Sequence, residues 1–132
     1  MNPIDLRMID ETDGLVRLEL IGRLSHDGWT VGFDPIVDIC GDAIYDRKVL
    51  INLARTTYID SSGVSWLLES NKRFKNHGGI MVLHSATPLT AQFFRLMRME
   101  LALNIEPNEA AARQKANGHE HSGTTETPAA EG

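Results

Sequence analysis

Asn52-Leu53-Ala54-Arg55-Thr56-Thr57-Tyr58-Ile59-Asp60-Ser61-Ser62-Gly63-Val64 is the stretch on which the fold turns. Before it, Val49, Leu50, Ile51 and Leu53 make the run 48–54 almost continuously apolar, as suits a central strand buried on both faces. After it, Val64, Leu67, Leu68, Asn71 and Phe74 recur at steps of three or four, the spacing of an amphipathic helix that stops before Gly78-Gly79. Tyr58 and Ile59 continue the approach from strand to helix, and Asp60-Ser61-Ser62-Gly63 stands at the junction. The first amides of a helix lack intrahelical partners, and an aspartate or serine there accepts hydrogen bonds from them. A capped helix start is therefore the plain structural reading of this tetrapeptide, with Gly63 giving room for a tight backbone turn. The position also suits a switch. A phosphate on a serine there would gain from unpaired helix amides and add roughly −1.5 to −2 charges beside Asp60.

Toward the N-terminus, residues 4–9 alternate partially and Asp10 to Gly14 reads as a turn. Leu15, Arg17 and Glu19 then alternate with Val16, Leu18 and Leu20 in a strand ending near Gly22, so a hairpin is expected. Residues 25–32 read as a loop, and Asp34-Pro35 opens a helix carrying Ile36, Val37, Cys40 and Ile44, with Gly41 weakening or ending it. Trp29 and Phe33 are read as cover for the core, with an exposed partner-binding patch as the alternative.

Toward the C-terminus, Lys72, Arg73, Lys75 and His77 complement the dipole at the end of the central helix. They read as a solvated helix end rather than a nucleic-acid patch. Residues 80–83 form another buried strand. Pro88 opens a helix with Leu89, Phe93, Leu96 and Met97 on one side; Phe94 and Met99, off that stripe, are exposed contacts or broaden the buried face. Residues 101–105 supply a short strand, and Asn108 caps a last helix over 109–115. The expected fold class is α/β: a mixed central β-sheet with an N-terminal β-hairpin, parallel strands, and about four helices packed mainly on one side. The expected domain spans 1–116, and 117–132, without a large apolar residue to bury, is expected to be a disordered tail.

Composition narrows the function classes. The net charge of −5 argues against direct nucleic-acid binding, and no apolar run approaches the ~20 residues that span a bilayer. Met1-Asn2-Pro3-Ile4-Asp5 lacks the basic and apolar regions of a secretory signal, and a single cysteine, Cys40, suits a reducing cytosol, so a cytoplasmic location is expected. Cys40, among Ile36, Val37 and Ile44, reads as a buried small hydrophobe rather than a nucleophile.

Taken together, the strand ending in Asn52-Leu53, the apolar Ile59 before Asp60-Ser61-Ser62-Gly63, and the helix after it resemble the core motif of the STAS family, the domain shared by sulphate transporters and anti-sigma factor antagonists. Gly22-Arg23-Leu24 is similar to the family's earlier Gly-x-Leu element, and Gly78-Gly79 falls where the family has a glycine turn. The resemblance covers about residues 4 to 115 and is of the antagonist type. It implies that Ser61 is phosphorylated, with Ser62 as fallback. It further implies an anti-sigma factor serine kinase bound by the unmodified domain and a phosphatase that reverses the modification. The protein would then be a substrate and binding module, not an enzyme, with no cofactor and no metal. Asp60, Ser62 and Gly63 would shape the acceptor loop, and Ser25 and His26 would contribute partner contacts. One departure is Ser25, where the family often has aspartate; Asp27 follows two residues later.

The residues admit three other readings. A STAS scaffold in a signalling or transport assembly would dispense with phosphorylation. A hydrolase would use Ser61 or Ser62 with His26, His77 or His84, but the local string is no Gly-x-Ser-x-Gly elbow. An Asp60 phosphoacceptor would need an acidic cluster for a metal, and His119-Glu120-His121 reads as incidental rather than as a metal site. The oligomeric state is not legible in these residues.

Overall fold

The computed structural model describes residues 4–26 and 32–119. β1 (Asp5–Thr12) and β2 (Leu15–Leu24) form the expected antiparallel hairpin. α1 (Pro35–Cys40) starts as read: the Asp34 carboxylate accepts from the N–H groups of Ile36 and Val37, and Pro35 fills the first helical position. Gly41, at φ 90°, ends it, and a separate 3-10 turn, Asp42–Asp46, carries Ile44 into the core. β3 (Lys48–Asn52), β4 (Thr56–Ile59) and α2 (Ser61–His77) follow. β5 (Ile80–His84), α3 (Pro88–Leu96), a 3-10 turn Met99–Leu101, β6 (Asn104–Glu106) and α4 (Glu109–Asn117) complete the chain.

The sheet order is β1-β2-β3-β5-β6, antiparallel in the hairpin and parallel across the rest, with β4 added to β2. Leu18, Leu20, Val49, Ile51, Met81 and Leu83 bury one face against Ile36, Leu67, Phe74 and Phe94 from α1, α2 and α3. The alternate residues Leu15, Leu50, Ile80 and Val82 bury the other face against Ala112 and Ala116 of α4. Two alanines let that short helix sit close to the strands. Helices thus lie mainly on one side, with α4 the exception.

Three expectations need correction. β2 does not end near Gly22. Gly22 takes a positive φ of 81°, its N–H bonds to the Arg55 carbonyl at 2.9 Å, and the strand runs on to Leu24, with Thr57 of β4 the extra residue where the register shifts between Gly22 and Arg23. β2 leaves β3 after Glu19 and pairs with β4 from Gly22 onward, so residues 56–59 are a strand and not merely an approach to the helix. Thr56 anchors it, its buried hydroxyl donating to the Leu20 carbonyl at 2.8 Å.

The second correction concerns α3. Its apolar stripe faces outward: Leu89 is 68% and Leu96 74% exposed, whereas Phe94, off the stripe, is 2% exposed and belongs to the core. The third is the tail boundary. α4 runs to Asn117, and the His119 ring lies 3.1 Å from the Gly78 carbonyl, so residues 117–119 are part of the fold. The rest of the expected tail, with Glu120 and His121, lies outside the described residues.

Phe33 packs half-buried against the core, whereas Trp29 and Asp27 lie outside the described residues. Arg73 in the basic cluster is more than a solvated end: it reaches Asp34 at 2.7 Å, while the Tyr45 hydroxyl donates to the same carboxylate. Cys40 is half-buried, and burial pushes its thiol up to about 11, far from a reactive thiolate.

Candidate functional site at the start of the central helix

Two segments distant in sequence build the site. The end of β2 brings Arg23, Leu24, Ser25 and His26 alongside β4 and the first turn of α2. The Asp60 N–H points at the Leu24 carbonyl at 3.4 Å. Gly63 makes the junction possible, though by a different route from a turn. It is the third residue of α2, and a Cβ on it would fall 2.8 Å from both the carbonyl carbon and Cγ of Leu24, and closer still to the carbonyl oxygen. Glycine is needed here for close approach of helix to strand.

Asp60 is the N-cap, its Oδ1 accepting from the Gly63 N–H at 3.0 Å and from the Ser62 hydroxyl at 2.6 Å. The Ser62 hydroxyl in turn accepts from the His26 backbone N–H at 2.8 Å and lies 3.3 Å from the buried Ser25 hydroxyl. Ser62 is thus occupied on every side. Ser61 is exposed, and among the described residues its hydroxyl has no partner. The structure brings Asp60, Ser62, Gly63, Ser25 and His26 together around Ser61, the grouping expected from sequence.

The charge state follows from these bonds. The Ser62 hydroxyl, outweighing the opposing effect of burial and assisted by the Gly63 N–H and Ser25, holds the Asp60 carboxyl down at about 2. The Gly63 amide at the helix start is therefore already served by a fixed carboxylate, which narrows what a Ser61 phosphate could draw from the helix amides. A phosphate would instead stand outside the cap, next to an existing negative charge.

A depressed folded-state pKa gives stability that is present above the unfolded value, about pH 4, and lost as pH falls through about 2. The difference in Tm between wild type and Asp60→Asn should accordingly be full at neutral pH and close between about pH 4 and 2. Thermal melts across that window check this, and a pH-independent difference would show that the carboxylate charge is irrelevant to the cap.

Sequence reading missed two participants. Tyr58 places its hydroxyl 3.4 Å from Asp60 Oδ2, and the Arg23 guanidinium lies over the Tyr58 ring at 4.2 Å. The signal was a run of four β-favouring residues, Thr56 to Ile59, too short to declare a strand. The histidines do not assemble a nucleophile and base with these serines. His26 contacts Ser62 through its backbone N–H, His77 bonds the Arg73 carbonyl near the far end of α2, and His84 is buried against Ser85. No group of three or more metal-binding side chains occurs among the described residues, and no helix among them is long and apolar enough to cross a membrane.

Comparison with known proteins places this geometry. The STAS domain model matches residues 8–112. Among solved structures, TM1081 from Thermotoga maritima is 18% identical, with 89% of this chain and 90% of that one covered and a TM-score of 0.69. An anti-sigma-factor antagonist (STAS) domain protein from Planctomyces limnophilus is 17% identical, covering 86% and 96%, at 0.59. The anti-sigma factor antagonist SpoIIAA of Bacillus, in its unphosphorylated form, is 22% identical, covering 87% and 98%, at 0.55. At these identities the structural matches speak for the fold. With the family model spanning the sheet, the Gly22-Arg23-Leu24 element and the Asp60-Ser61-Ser62-Gly63 junction, the chain belongs to the STAS domain family.

Proposed function

We propose that this protein is a regulatory binding module of the anti-sigma factor antagonist type, cytoplasmic and without catalytic activity of its own. In this reading it is switched by reversible phosphorylation of Ser61 and binds an anti-sigma factor kinase when unphosphorylated. The observation that carries the reading is the contrast between the neighbouring serines: Ser61 is exposed and without a partner among the described residues, while Ser62 is bonded to Asp60 and His26. A kinase could modify Ser61 without breaking the helix cap, whereas a phosphate on Ser62 would displace it. SpoIIAA, solved in both unphosphorylated and phosphorylated forms, shares this fold and gives the reading a precedent.

The test is phosphosite mapping by mass spectrometry, after incubation with ATP and the candidate serine kinases of the same cell. Phosphate is expected on Ser61 and absent from Ser61→Ala. Phosphate confined to Ser62, or none with any such kinase, would overturn the reading. The second outcome would favour a non-phosphorylated STAS scaffold, the alternative to which neutral Ser25 beside Ser62 lends some weight.

A further inference from the structure

We infer that Arg23 is the residue that receives the phosphate of Ser61: when Ser61 is modified, the Arg23 guanidinium leaves the Tyr58 ring and pairs with the phosphate oxygens. The inference rests on the regulatory reading of Ser61 given above and deepens it.

Strand geometry sets the groups in line. Arg23 of β2 and Tyr58 of β4 are register partners, so their side chains leave the same face of the pair. The next partners, Leu24 and Ile59, turn to the opposite face and pack in the core. The Arg23 guanidinium lies 4.2 Å over the Tyr58 ring, and the Tyr58 hydroxyl lies 3.4 Å from Asp60 Oδ2. Guanidinium, ring and carboxylate thus form a chain of neighbours that ends one residue before Ser61.

Charge gives the reason for a receiver. A phosphate on Ser61 adds roughly −1.5 to −2 charges beside Asp60, whose Oδ1 is bound into the helix start by Ser62 and the Gly63 N–H. Such a group needs a cation, and Arg55, the other arginine at this end of β2, is already paired with Glu19. Arg23 has no carboxylate partner among the described residues, and none of its N–H donors is taken there. An exposed stack on an aromatic ring is a weak hold that leaves those donors free. A guanidinium fork on phosphate oxygens makes two charge-assisted bonds, so the phosphate wins the exchange. His26, whose backbone N–H bonds Ser62, is the rival receiver through its ring. Phosphorylation would then change the surface twice. It adds anionic charge at Ser61 and withdraws a free cation from beside the exposed Tyr58.

The experiment uses the full chain with phosphoserine built in at position 61 during translation, so that no kinase is required. Phosphorus NMR follows the phosphate through its second ionisation, ordinarily at about pH 6. Asp60, Arg23, His26 and the Tyr58 hydroxyl are the ionisable groups that meet at this loop. A paired arginine favours the dianion, so Arg23→Gln should raise that pKa by about half a unit or more. Its Tm should stay at that of the unsubstituted phosphoprotein, since Arg23 is exposed. In isotope-labelled protein the Arg23 side-chain N–H signal should also move between serine and phosphoserine at position 61, which a purely structural role would not produce. Coincident titrations of the phosphoprotein with and without Arg23→Gln overturn the proposal, and so does a larger rise with His26→Gln. Because the phosphate is installed without a kinase, such a result refutes the pairing alone. Kinase incubation that leaves Ser61 unmodified refutes the regulatory reading instead.

Discussion

Replacing Gly63 with alanine is expected to cost about 3 kcal/mol and lower Tm by roughly 10 °C. Two effects oppose each other. Alanine favours a helix over glycine by about 1 kcal/mol, and Gly63 lies inside α2. Against that, the added methyl would enter the space of the Leu24 backbone, not the flexible end of a side chain. β2 cannot retreat, because around Gly22 it is held by β4 on one side and β1 on the other, through Gly22–Thr56 and Asp5–Ile21 pairings, and Leu24 itself pairs with Ile59. The clash therefore wins, and its relief must come from moving α2 outward, which pulls Asp60 from the Leu24 carbonyl and loosens the loop that presents Ser61. Thermal melting gives the first readout and phosphorylation of Ser61 the second. A Tm equal to or above that of wild type would show that the helix slides without cost.

Ser61→Asp should have the opposite profile: Tm close to wild type and affinity for the proposed kinase partner reduced about 100-fold. The stability expectation rests on the exposure of Ser61 and on the cap being made by its neighbours. The binding expectation rests on placing a second carboxylate beside Asp60, which is already ionised at any physiological pH. Like charges forced together in a desolvated interface cost several kcal/mol, and about 2.7 kcal/mol accounts for the factor of 100. Ser61→Ala, which adds no charge, should retain the partner. Calorimetric titration of the three proteins checks this; equal affinities would remove charge as the basis of the switch.

Much of this was legible because the patterns were local. Asp34-Pro35, Asn108 and Asp60 each announce a helix start with a side chain that bonds the next turn, and the structure uses all three in that way. Periodicity found the α3 stripe but could not say which way it faces. That is decided by β4 and the core on the other side, which take Thr90 and Phe94. β4 itself escaped because four residues with one fully buried member carry little alternation, and its partner is the part of β2 beyond a glycine that looked like an ending. Gly63 reads from sequence as room at a tight turn, but that the room is taken by the Leu24 backbone is not legible there, since close approach between distant segments leaves no mark in a one-dimensional pattern.

The change of partner strand at Gly22 has a consequence for how such a protein can diverge. It divides β2 into a first half in register with β3 and a second half in register with β4, and only the second half touches the loop of Asp60 to Gly63. Between β3 and β4 lie just Leu53, Ala54 and Arg55, the last two exposed. A residue gained or lost there would reverse the faces of β4, exchanging buried Thr56 for a neighbour and re-aiming Tyr58, while the pairings of β3 and β5 stayed as they are. Lineages could in this way remodel the surface that meets other proteins by small changes in one short connection, without renegotiating the sheet that carries it.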